Sequence, residues 1–203
     1  MFPFDVILFD VGGVLLTNGW DHRERAVVLD RFGMDRAAFE ARHPEPYRAW
    51  EAGAISMRAY LDATVFYEPR AFSHEQLIDA ICNQSLPLKN GALGILKELS
   101  ASNKCLLGAL NNEARETNEY RFETFGLHKY LKVALSSCYL GLRKPDMAIF
   151  QRALDILGSP PERILFIDDR EENTASAHRA GMRAILFEGE DGLRRELESL
   201  EVF

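Results

Sequence analysis

Asp10, Gly12, Asn111, Asn112, Lys144, Asp168 and Asp169 are the residues of this chain whose types and spacing point to chemistry. Each follows a short apolar run: VILF before Asp10, LLGAL before the two asparagines, LKVALS upstream of Lys144, and ILFI before the acid pair. Taken singly, each has a structural explanation. Asp-x-Gly makes a turn; Asn caps helices; Arg143 and Lys144 can lie in solvent while Pro145 opens a helix; Asp168 and Asp169 can cap the segment that begins with Glu171 and Glu172. None of these explains why acid, amide, lysine and paired acids end successive runs in that order. Clustered carboxylates repel one another unless some are exposed or a cation sits among them, and a buried lysine is costly unless an anion balances it. Such a set suits the handling of a cation together with an anion.

The elements that would position these residues are legible in the periodicity. Five apolar runs at 5–10, 104–110, 131–136, 163–169 and 182–187 read as strands buried on both faces. Helical patterns at 89–102, 113–125, 146–157, 171–180 and 190–200 alternate with them. Alternation of this kind predicts right-handed crossovers and an α/β, doubly wound parallel sheet. One connection is far too long for a loop. Between Asp10 and residue 104 lie helical stretches near 21–32, 35–42, 46–52, 55–66 and 73–84, so residues 15–87 are expected to form an inserted all-helical module, with a return hinge at Leu86-Pro87. The sheet core then comprises 1–14 and 88–203. In such sheets ligands bind beyond the carboxyl ends of the strands, which is where the seven residues fall.

Composition narrows the class. With 47% apolar and 27% charged residues in 203, the chain has the makeup of a folded globular protein. A formal net charge of −7 argues against nucleic acid or an anionic membrane as a partner held by a general basic field. Asp5 and Asp10 interrupt the N-terminal apolar stretch, so a cytoplasmic location is expected. Cys82, Cys105 and Cys138 form no C-x-x-C pair and the five histidines no H-E-x-x-H, which favours neither a disulfide framework nor a histidine-held zinc. No residue pattern selects an oligomeric state.

The segments DVGGV, ALNNE, GLRKPDMAIF and FIDDREEN, in that order, resemble the four motifs of the haloacid dehalogenase-like hydrolase superfamily, and the inserted module resembles its cap domain. The resemblance implies a Rossmann-like core and a Mg²⁺-dependent hydrolase, most simply a phosphatase of a small phosphorylated metabolite. Asp10 would be the nucleophile, forming an aspartyl-phosphate. Mg²⁺ would be held by Asp10, the Gly12 carbonyl and Asp169, with Asp168 bound directly or through water. Lys144 would neutralise charge between nucleophile and phosphoryl oxygens, and Asn111, Asn112 and the backbone about Gly12 would hold the phosphate.

Two departures from the superfamily pattern stand out. Its phosphatases carry a second Asp two residues after the nucleophile, as acid and then base; here that residue is Gly12, and Glu113, Asp21 and His22 are candidate substitutes. Its second motif has Ser or Thr where this chain has Asn111. Haloacid dehalogenases of the superfamily also lack the second Asp, but they work without metal and need no acid pair. Phosphonate-cleaving members use a cap lysine, and residues 1–88 contain no lysine. A degenerate member that only binds phosphate, metal or a protein is a further alternative. Arg23, Arg25, Arg42, Arg48 and Arg58 are available to read an anionic substrate, though a solvated helix face accounts for most of them. Trp20, Tyr47, Trp50, Tyr60 and Phe66 read as core.

Overall fold

The computed structural model describes residues 2–203. Five strands, β1 (Val6–Phe9), β2 (Leu106–Ala109), β3 (Val133–Ala134), β4 (Ile164–Asp168) and β5 (Arg183–Leu186), pair in parallel in the order β3-β2-β1-β4-β5. β1 lies at the centre, with Leu8 opposite Gly108 on one side and Phe166 on the other. Its four residues are all buried, as a strand covered on both faces requires. β3 is shorter than the run at 131–136 because it is an edge strand, pairing only through Gly108 and Ala109.

Period-two alternation splits the side chains between two layers. Ile7, Phe9, Leu165 and Ile167 pack in one hydrophobic cluster; Val6, Leu8, Ile164 and Phe166 pack in the other. The chain supplies the covering helices after an excursion: α1 (His22–Arg31), α2 (Arg36–Arg42), α3 (Pro44–Glu51), α4 (Met57–Thr64) and α5 (His74–Cys82) all precede β2. Next come α6 (Leu93–Ser102), α7 (Arg115–Thr124), the short α8 (Ser137–Leu140), α9 (Met147–Leu157), α10 (Glu171–Arg179) and α11 (Glu190–Ser199). Ile95, Leu96 and Leu99 of α6 with Leu193 and Leu197 of α11 cover the first layer. Ile149, Phe150 and Ala153 of α9 with Ala177 of α10 cover the second. α6 starts later than the pattern from residue 89 suggests, because Asn90 sits in the left-handed region (φ 60°) and Gly91 turns back onto Leu88. Among the described residues no helix is long and apolar enough to cross a membrane.

Helices α1 to α5 gather around a further hydrophobic cluster, built on Trp20, Leu29, Phe39, Trp50, Tyr60 and Leu77 and joined by Ala114 at the start of α7. Their ends are marked chemically: Asp21 and Asp35 cap α1 and α2, and Ser73 with Gln76 forms a capping box on α5. The chain leaves and re-enters the sheet side by side, with Thr17 N–H on the Leu86 carbonyl (2.8 Å) and Leu88 N–H on that of Leu15 (3.1 Å). Further contacts dock the insertion on the rim. Glu116 of α7 accepts from Trp50 Nε1 (3.0 Å) and Met57 N–H (2.7 Å), and Ser137 Oγ donates to the Glu51 carbonyl (2.7 Å).

Candidate active site

Asp10 is the first residue beyond β1, and its N–H donates to the Ile167 carbonyl at 2.8 Å, so the centre of the sheet fixes where its side chain begins. Oδ1 accepts from Val11 N–H at 2.7 Å. Lys144 Nζ stands 3.1 Å from Asp10 Oδ2 and 2.5 Å from Asp168 Oδ2. Both Lys144 (4% exposed) and Asp168 (0%) are removed from water. Asp168 is saturated: Oδ1 accepts from Arg170 N–H and Asn173 Nδ2, each at 2.9 Å, while Oδ2 takes Lys144. Its position holds the lysine between two carboxylates.

Burial pushes the Asp10 carboxyl up to about 7, assisted by the charges of Asp168 and Asp169 and opposed by Lys144. Burial also raises Asp169, with the neighbouring Asp168 charge adding to it. For Lys144 burial works to lower the value, but Asp10 and Asp168 outweigh it and the ammonium is favoured.

A divalent cation fits the three acids on independent grounds. Asp10, Asp168 and Asp169 each offer an oxygen, all lying within 4.8 Å of one another. Asp169 Oδ1 is buried without a hydrogen-bond partner, an arrangement that a hard cation would relieve. The double glycine at residues 12 and 13 also finds its explanation here. Gly13 has φ 74°, and a Cβ there would overlap the Asp169 carboxylate. At Gly12 a Cβ would meet Asn18 Oδ1 at 2.8 Å and Arg121 Nη1 at 3.7 Å.

The two asparagines separate. Asn112 lines the cavity above Asp10 and clamps the Lys144 backbone, accepting from its N–H and donating to its carbonyl, both at 2.8 Å. Asn111 turns inward instead. Its Nδ2 donates to Asn118 Oδ1 (3.0 Å) and its Oδ1 accepts from Ser136 Oγ (2.8 Å), so this side chain is spent on the packing of α7 against β3.

The cavity encloses about 120 Å³, and its lining is mostly polar. Beyond Asp10, Gly12, Asn112 and Lys144 it takes in Glu113 and Asp21, two of the three substitutes named for the missing acid; His22 is not on its wall. Its cations come from the sheet side: Arg121, Arg143 and Arg170 join Lys144. None of the five arginines singled out in the insertion reaches it. Arg25 is bound to Glu40 and Arg48 to Glu45, while Arg42 lies over the Tyr67 ring. The insertion contributes Tyr47 and Glu51 instead, with Tyr47 Oη donating to Glu51 Oε1 at 2.8 Å and Arg143 paired with Oε2. Burial raises the Glu51 carboxyl, and Arg143 works against it. Arg121, Arg143, Glu51 and Arg170 gave no sequence signal, since each sits in a charged stretch that reads as solvated; only Arg143, adjacent to Lys144, was within reach of inspection.

The haloacid dehalogenase-like hydrolase profile matches residues 4–181. The chain is 29% identical to flavin mononucleotide hydrolase 1 of Arabidopsis thaliana over 185 residues, 87% of this chain and 74% of that protein. It is 31% identical over 85 residues to a glyceraldehyde 3-phosphate phosphatase of Methanothermobacter thermautotrophicus, 41% of this chain and 38% of that one. Two other curated relatives are much longer, the chain spanning 12% of one and 38% of the other. A HAD-family enzyme of Bacteroides thetaiotaomicron, solved with magnesium and inorganic phosphate, superposes with a TM-score of 0.74 over 92% of this chain and 95% of its own at 20% identity, and so shares the fold. With the profile running from the first strand to the end of α10, the chain belongs to the haloacid dehalogenase-like hydrolases.

Proposed function

We propose that the protein is a Mg²⁺-dependent phosphatase of a small phosphorylated metabolite, with Asp10 as the nucleophile and helices α1 to α5 serving as a cap over the site. The observation that carries this reading is the triad of Asp10, Asp168 and Asp169 with Lys144 among them and one Asp169 oxygen left bare. The phosphatase names among its relatives support it. Mg²⁺ held by Asp10, the Gly12 carbonyl and Asp169 supplies positive charge against both the nucleophile and the phosphoryl oxygens, the Lewis-acid role expected of a hard cation.

The chain's own groups divide the remaining work. Asp10 presents an oxygen to phosphorus from a fixed backbone, which removes much of the orientational cost of the attack. Lys144 faces the nucleophile and would neutralise the charge of an incoming phosphoryl group. Asp168 and Asn112 hold Lys144, one at the ammonium and the other at the backbone. The small polar cavity suits a substrate with few atoms beyond its phosphoryl group. A carbon–halogen substrate would leave the carboxylate cluster and its bare oxygen without a role.

Turnover of para-nitrophenyl phosphate with and without Mg²⁺, by the wild type and by Asp10→Asn, tests the proposal. Metal-dependent hydrolysis that falls by about 10³-fold or more in the variant is expected, since loss of a covalent nucleophile removes the pathway itself. Metal-independent turnover, or equal rates in the two proteins, would refute it.

A further inference from the structure

The cavity wall contains a buried cation that the reading above leaves without a task. Arg121 of α7 is 2% exposed yet lines the cavity beside Asp10 and Gly12. A guanidinium carries five N–H donors and stays protonated. Here two are engaged, Nη1 with Glu113 Oε2 at 2.5 Å and Nη2 with the Thr17 carbonyl. Nε is buried with no partner, and an unmet donor in that setting costs on the order of 1–3 kcal/mol, more for a charged group. Nε is sealed from solvent, so the donors left to meet a ligand oxygen are the second N–H bonds of Nη1 and Nη2.

The location of Arg121 says which oxygen. The space beside the backbone of residue 12 is filled by Asn18 Oδ1 and by Arg121 Nη1, the latter 3.7 Å from where a Cβ would stand. No carboxyl can enter that space from residue 12 as the chain is built. Three of the other acids on the wall are committed: Glu113 to Arg121 and Thr117, Asp21 to Arg170 and the first turn of α1, Glu51 to Tyr47 and Arg143; the fourth, Glu172, is exposed in the first turn of α10. Two residues beyond the nucleophile, then, the site presents a fixed positive charge in place of a proton donor.

We propose that Arg121 is a catalytic residue that hydrogen-bonds the leaving oxygen, so that the departing group is stabilised as an anion instead of being protonated as it leaves. This deepens the phosphatase reading and rests on it. In the step, an Asp10 oxygen forms the new bond to phosphorus and the old P–O bond breaks. The electron pair stays on the departing oxygen, Arg121 keeps its proton, and the anion takes one from water after release. The corresponding substrate class is phosphate joined to an acidic oxygen, as in acyl, enol or aryl phosphates, in preference to esters of simple alcohols.

Rates across a series from para-nitrophenyl to para-methoxyphenyl phosphate give the test, read as the slope of log kcat/KM against leaving-group acidity. Arg121→Met should steepen the slope. Losing one preorganised donor costs about 10²–10³-fold where the charge is fully developed, so the para-methoxyphenyl ester should fall by about 10²-fold and the para-nitrophenyl ester by about tenfold or less. Arg121→Lys, which keeps a cation, should show the same steepening to a smaller degree and carries the test if the methionine variant does not fold. A parallel loss across the series would assign Arg121 to structure alone and overturn the inference. So would an unchanged slope in the Arg121 variants together with a steepened one in Glu51→Gln, which would name Glu51 as a proton donor. If the wild type hydrolyses no ester of the series in a Mg²⁺-dependent way, the phosphatase reading fails and this inference goes with it.

Discussion

At the scale of single residues, the site shows how strongly a glycine can be tied to a neighbour's carboxylate. Gly13 combines a left-handed backbone with the absence of a Cβ that would overlap Asp169. Gly13→Ala therefore imposes two costs, backbone strain of about 1–2 kcal/mol and displacement of a proposed metal ligand. The expected outcome is a lower melting temperature together with loss of the stabilisation that added Mg²⁺ gives the wild type. A variant that is destabilised but retains its full response to Mg²⁺ would remove Asp169 from the metal site. Asn111 and Asn112 make a related point. Successive side chains leaving a strand point to opposite sides, so of two adjacent amides only one can face the cavity. The sequence offered both and had no means of choosing between them.

At the scale of elements, the helical insertion depends on a chain of buried polar groups. Trp20 Nε1 donates to Tyr60 Oη at 2.9 Å, and Tyr60 Oη lies 2.8 Å from His43 Nδ1. Trp20 can only donate, so the Tyr60 hydroxyl proton is free to go to an unprotonated His43 Nδ1. Burial, reinforced by the Arg25 charge, lowers His43 from 6.5 to about 4. Because the folded state prefers neutral imidazole, the benefit of His43 is complete above the unfolded value near 6.5. It is lost as pH falls towards 4, where the folded protein also takes up the proton. The loss amounts to at most about 3 kcal/mol. Urea unfolding of wild type and His43→Gln from pH 7 to 4 should show the wild type's advantage shrinking through that window; a constant difference would contradict the assignment. The strands and helices themselves were legible because each apolar run and each amphipathic repeat reports its own burial. Arg121 was not, because the segment EARETNEYRFET is charged around most of its circumference and nothing in its periodicity says which charge faces inward.

At the scale of the whole molecule, the helical insertion meets the sheet on the rim where the candidate site lies. The order of acid, amide, lysine and acid pair along the chain anticipated which groups gather at the strand ends, because the parallel topology brings every such end to one side. It could not anticipate the groups that meet across the joint, Glu51 with Arg143 and Trp50 with Glu116, since those pairs depend on how the insertion settles. Glu116 accepts from both a side chain and a backbone N–H of the insertion. Glu116→Ala leaves both donors unmet at an expected cost of about 2–3 kcal/mol. Limited proteolysis should then cut the connection at 83–88 faster than in the wild type; an unchanged cutting rate would show that the insertion is secured elsewhere.

The two crossings between insertion and sheet lie against each other, Leu16 bridged to Pro87 and Thr17 bonded to Leu86 and Gln84. For the sheet, everything between them is one long loop closed at its base, and the cost of closing a loop grows only slowly with its length. A longer or shorter insert beyond this neck would therefore leave the pairing of the strands unchanged. Under the proposed reading, the groups at the strand ends would stay in place while the insertion above them changed.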